Sequence, residues 1–200
     1  MSINVCNDRS MASITSLPSG VSGGSLVLIS EQTASSSSTI SFTSGIDSTY
    51  KEYIFKFINI HPSATESFRF QASTEGGSNY NTTVTNTYFH AQHDESSTSP
   101  TVTYDTGNDQ AQGTGFIRLN QGIDHDNADE NGSGFLHLFD PSNTTFVKHY
   151  IARNVDMANN YMQDAHAAGY FNTTSAINAI QFKMNSGNID SGTIKMYGVV

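Results

Sequence analysis

The chain has 200 residues, 9 of them basic and 18 acidic, for a net charge of −9. Charged residues make up only 14% of it, well below the usual quarter, and Ser, Thr, Asn and Gly take their place. No basic run interleaves with aromatics, which speaks against a nucleic acid partner. The single cysteine, Cys6, excludes an internal disulfide.

Residues 1–24 are small and polar, broken by Pro18-Ser19-Gly20 and Gly23-Gly24. They read as an N-terminal arm ahead of one domain spanning 25–200. Ile14 and Leu17, with Pro18 beside them, are the candidate partner-binding residues of that arm. A plain tail and a segment that orders on a partner both fit this composition. The start lacks a basic region followed by a long apolar core, so no secretion signal is expected. The longest aliphatic stretch nearby, Leu26-Val27-Leu28-Ile29, is far too short for a membrane span. The sequons at Asn81, Asn143 and Asn172 are therefore expected to serve as turn and strand-edge residues.

From Ser25 onward, strand signals alternate with turn clusters. "SLVLIS" leads through the Ser35–Ser38 run into "TISF". "YKEYIFKFINIHP" is the strongest strand. Tyr53, Phe55 and Phe57 face one way and Ile54, Ile58 and Ile60 the other, so it should sit centrally and end at Pro62. "SFRFQAS" sets Phe68, Phe70 and Ala72 against Arg69 and Gln71. "TTVTNTYFH" follows, then "TVTY" and "GFIRLN". "GFLHLF" sets Leu136 and Leu138 against Phe135, His137 and Phe139, and "TFVKHYI" comes next. "DMANNYMQDAHAAG" carries the chain's one helical spacing, Met157, Tyr161 and Ala165, and reads as a loop with one helical turn. The final residues read as a hairpin pairing Ile180, Phe182 and Met184 with Ile194 and Met196, turned at Gly187-Asn188 and Gly192. These nine or ten short strands predict an all-β sandwich or barrel.

Candidate chemistry is sparse. His90 and His93 have an HxxH spacing, but on a strand they point to opposite faces and do not chelate together. "GIDHDNADENG" supplies Asp124, Asp126, Asp129 and Glu130, a weak calcium candidate. It fails the EF-hand pattern, because Ala128 and Asp129 occupy the fifth and sixth positions counted from Asp124. A solvated turn is the simpler reading. No carboxylate pair marks a glycosidase, and no GxSxG, phosphate loop or Cys–His arrangement occurs. The expectation is a non-enzymatic protein without a cofactor. Tyr80, Tyr88, Tyr104 and Tyr161 are candidates for stacking on a glycan.

The segments "FNTTSAINAIQFKMNSGNIDSGTIKMYGV", "GSGFLHLFDPSNTTFVKHYIAR", "GIDSTYKEYIFKFINIHPS" and "SITSLPSGVSGGSLVLISEQTASSSSTISFTSGI" resemble, in order, blocks of small virion structural proteins of tailed bacteriophages, notably marine cyanophages. The likeness runs from about Met11 to the end of the chain. It implies a jelly-roll-like antiparallel β-sandwich on a virion assembled in the host cytoplasm, as a homotrimer whose arm contacts other tail or capsid proteins. A tail or tail-fibre component that touches host surface glycans is the first expectation. A capsid decoration protein is the alternative, and a glycan-binding or glycan-cleaving module comes after it. "NVDMANNYMQDAHA" and "AQHDESSTSP" depart from the pattern, and variable end loops commonly carry recognition.

Overall fold

A computed structural model of the chain describes residues 25–200. The expected arm, with Ile14, Leu17 and Pro18, lies outside the described residues. Thirteen strands form: β1 (Leu26–Thr33), β2 (Ile40–Phe42), β3 (Glu52–Pro62), β4 (Phe68–Ser73), β5 (Val84–Asp94), β6 (Thr101–Tyr104), β7 (Gln110–Gly113), β8 (Ile117–Arg118), β9 (Gly132–Phe139), β10 (Lys148–Ala158), β11 (Tyr161–Phe171), β12 (Ala179–Met184) and β13 (Ile189–Val199). A single 3₁₀ turn at Thr106–Asn108 is the helical element among the described residues. The fold is an antiparallel β-sandwich, one of the two all-β architectures that the alternation predicts.

One sheet has nine strands, ordered β1-β13-β3-β9-β10-β11-β5-β6, with β7 also pairing β5; the other has four, β2-β12-β4-β8. Without β5, β6, β7, β10 and β11, eight strands remain as β1-β13-β3-β9 facing β2-β12-β4-β8. That alternation between sheets fits the double Greek-key winding of a jelly roll. The remaining strands extend the large sheet beyond β9.

Period-2 patterning explains the core. Tyr53, Phe55 and Phe57 of β3, Phe68 and Phe70 of β4, and Leu136 and Leu138 of β9 are all buried between the sheets. Phe182 on β12 lies at the centre, with ring centroids 5.2–6.3 Å from Phe42, Phe55, Phe57, Phe68 and Phe70. β3 sits between β13 and β9, a central strand as its two apolar faces predict.

Four sequence expectations are corrected. The closing segment is not a hairpin, because β12 belongs to the small sheet and β13 to the large one. Ile180, Phe182, Met184, Ile194 and Met196 all bury inward, but they face one another across the sandwich rather than along a ladder. Gly187 (φ +72°) and Gly192 (φ +119°) sit in the crossover and in the β13 bulge that this route requires. Ile60 does not share a face with Ile58. A bulge between Phe57 and Ile60, with Asn59 at φ +52°, turns Ile60 into the core and leaves Ile58 40% exposed. "DMANNYMQDAHAAG" is not a loop with a helical turn. It is the junction of β10 and β11, paired without interruption from Lys148↔Phe171 to Ala158↔Tyr161. Asn159, at φ +57°, opens the two-residue turn, the conformation a tight hairpin needs. Finally, there are more strands than nine or ten: β7 (Gln110–Gly113) carries no apolar alternation to mark it, and β11 lies largely in the segment read as a loop.

Candidate functional site

The β5–β6 connection and the turn between β10 and β11 meet at one end of the large sheet. Tyr161 pairs with Asp94 and Met162 with His93, while the Glu95 amide donates to the Asn160 carbonyl at 3.0 Å. The β5–β6 connection is shaped by Asp94. Its carboxylate accepts from the Ser96 hydroxyl, from the Thr98 hydroxyl (2.5 Å), and from the Thr98 and Ser99 amides (2.8 Å each). These donors, the Ser96 hydroxyl foremost, hold its carboxyl far below the usual aspartate range.

A groove of about 430 Å³ runs along this end, lined by His93, Asp94, Glu95, Met157, Tyr161 and Met162. A second, of about 300 Å³, lies on the other side of the same two methionines, between Val155 and Asp129 and Asn131. Met162 is half exposed. Unbranched thioethers flanked by a phenol and carboxylates make this surface adaptable, apolar at the centre and polar at the rim.

The Asp124–Glu130 loop borders this end, but its carboxylates do not converge. Asp124 accepts from Thr65 Oγ1 at 2.8 Å, and Asp126 lies 3.6 Å from His125. Asp129 is exposed. Glu130 turns inward to accept from the backbone amide (2.9 Å) and side-chain amide (3.0 Å) of Asn127, and these bonds, the backbone one first, lower its pKa. Its carbonyl meets His61 Nδ1 at 2.5 Å. Among the described residues no group of three His, Cys, Asp or Glu side chains is arranged to hold a metal ion. His90 is buried and His93 exposed, on opposite faces of β5. His137 bonds Glu52, and His149 is exposed beside Tyr170.

Of the four candidate tyrosines, Tyr161 lines the groove and Tyr104 is 55% exposed on an edge strand, its hydroxyl on Asp109. Tyr80 is half-buried against Gly77. Tyr88 is not available to a glycan, because it lies fully buried on the inner face of β5.

The inner face of β10 is partly polar. Along β10 the buried positions are Lys148, Tyr150, Ala152, Asn154 and Asp156, while Ile151 and Val155 face outward. Asn154 Nδ2, both Asp156 carboxylate oxygens, Gln163 Oε1 and His90 Nδ1 are buried without a hydrogen-bond partner. Burial pushes the Asp156 carboxyl well above its ordinary value, and the Arg118 charge only partly offsets this. Above about pH 3.9 the unfolded chain releases this proton while the folded one keeps it. Stability therefore falls as pH rises through that window. Asp156→Asn is expected to flatten this decline and raise the thermal midpoint at neutral pH. An unchanged pH profile in urea titrations of the variant would contradict it.

Comparison with known protein families, characterised proteins and solved structures finds no match to the chain.

Proposed function

We propose that this chain is a non-enzymatic surface component of a tailed-phage particle, carried at the tail or a tail fibre, whose β10–β11 tip and β5–β6 loop contact the host surface. The observation that carries the reading is the meeting of those two segments. They are far apart in the chain and depart from the resemblance, yet they are joined by the Glu95–Asn160 hydrogen bond around the Met157–Met162 groove. The groove's apolar centre and polar rim suit binding, and a host surface glycan is the expected partner.

Capsid decoration is the second reading. The outer face of the large sheet exposes Phe89, Ile151 and Val155 alongside Met162, each at least 40% accessible. An apolar face of that kind suits contact with a neighbouring protein subunit. In both readings the protein works as a homotrimer, and residues 1–24 attach it to other virion proteins through Ile14, Leu17 and Pro18.

Gold-labelled antibody imaging of intact particles tests the proposal. Label on the tail or fibres is expected, label over the head favours decoration, and unlabelled particles would reject both. Deleting residues 1–24 is expected to abolish incorporation into particles while moving the melting temperature by less than about 2 °C, under 1 kcal/mol for a domain this size. A larger drop by calorimetry would make the segment part of the fold rather than an attachment.

A further inference from the structure

We propose that Lys183, Arg69 and Arg118 form a binding site for the anionic groups of an acidic polysaccharide, carboxylate or sulfate. The site is separate from the groove at the hairpin tip, and the proposal does not depend on the virion reading.

The three residues stand in one row across the small sheet. β12 pairs Lys183 with Arg69, and β4 pairs Arg69 with Arg118. Like charges directly opposite each other on neighbouring strands repel. A chain of net charge −9 nonetheless places three of its nine cations side by side. Among the described residues, none of the three is bridged to a carboxylate, whereas Lys51, Arg153 and Lys195 each are. Desolvation first, and then the Arg118 charge, lower the pKa of Arg69. A bound anion relieves both effects.

The row borders a cleft of about 200 Å³ between the edge of the small sheet and residues 107–110, the end of the 3₁₀ turn and the start of β7. Its walls are largely polar, and Phe116 has one ring face covered by the Lys183 ammonium, 5.2 Å from the centroid. Arg69 donates through Nε to Ser67 Oγ at 3.0 Å, which fixes the side chain and leaves its terminal nitrogens for the cleft. Arg118 is steadied by the Asn120 carbonyl (2.8 Å) and the Gln121 carbonyl, with its guanidinium 5.9 Å from the Tyr88 ring. Of the acids nearby, Asp156, which feels the Arg118 charge, is pushed by burial toward its neutral form, and the other two, Asp109 lining the cleft among them, are hydrogen-bonded. Glu66 accepts from Ser67, Asn185 and Ser186, and Asp109 accepts from the Tyr88 amide and the Tyr104 hydroxyl.

Planar guanidinium forks match carboxylate and sulfate oxygens. The cleft has room for about one sugar ring, and Asn108 and Gln110 at its wall are held in place by Asp105 and Gly115. A nucleic acid is the poorer fit. The one aromatic in the cleft is capped by an ammonium rather than open for a base to stack on, and the net negative charge repels a long phosphate backbone.

The test is calorimetric titration of the full chain with oligogalacturonate, dextran sulfate, neutral dextran and a single-stranded DNA of matched length. Binding of at least one acidic glycan and not of neutral dextran is expected, and the two acidic probes distinguish carboxylate from sulfate. Arg69→Gln and Lys183→Gln are each expected to weaken binding about tenfold, the effect of losing one charged donor. Both variants relieve repulsion, so their melting temperatures should match or exceed the wild type, which separates lost binding from lost folding. The assignment is overturned if neither acidic glycan binds, if both variants bind like the wild type, or if the DNA binds as tightly as the glycans.

Discussion

Phe182→Ala is expected to destabilise the protein by about 3–5 kcal/mol, the range for emptying a buried phenylalanine site. The side chain has no solvent exposure and touches a ring from nearly every wall of the core: Phe42 on β2, Phe55 and Phe57 on β3, and Phe68 and Phe70 on β4. Five partners packed edge-on, tilted or stacked cannot all collapse into the space one ring leaves. The loss should therefore include the cavity term as well as the transfer term. Chemical denaturation checks this, and a change below about 1 kcal/mol would mean the two sheets do not pack through this residue. Phe182→Leu should recover much of the loss, since it restores most of the volume.

Gly134→Ala is the second large effect, about 3 kcal/mol of destabilisation, at the upper end for overpacking. An added Cβ would fall well inside contact distance of the Arg153 carbonyl oxygen and 2.7 Å from Asn154 Cα. Both are backbone atoms of the neighbouring strand, so no side chain can swing aside, and the β9–β10 ladder itself must move. Because that ladder joins the eight-stranded sandwich to its extension, hydrogen exchange in the variant should rise first in β10 and β11. Gly76→Ala is the control. Its Cβ would meet nothing within 4 Å, and the cost there is the left-handed backbone alone, at φ +65° and about 1 kcal/mol. Equal losses at the two positions would refute the close approach of β9 and β10.

The strands and the core were legible because alternation acts over neighbouring residues. Phe55 and Phe57, Phe68 and Phe70, and Leu136 and Leu138 bury as their spacing dictates. Ile60 escaped because a single left-handed residue, Asn59, resets the phase, and nothing in the apolar pattern marks it. The β10–β11 tip escaped for a related reason. Met157, Tyr161 and Ala165 happen to repeat at four, while the polar Asn154 and Asp156 point inward and Ile151 and Val155 point out. The pattern therefore resembles neither a half-buried strand nor a buried one.

Composition and alternation by themselves determined that this chain is all-β, a sandwich or a barrel, and they named many of the aromatic and aliphatic residues that fill its core. Tertiary structure alone decided which strands are neighbours. It sent β12 and β13 to opposite sheets, and it set Asp94 and Glu95 beside the 159–160 turn. It also aligned Lys183, Arg69 and Arg118 into one row. The physical reason is that side-chain periodicity is a local property of a strand. Pairing between distant strands is settled only when the whole apolar surface is buried at once.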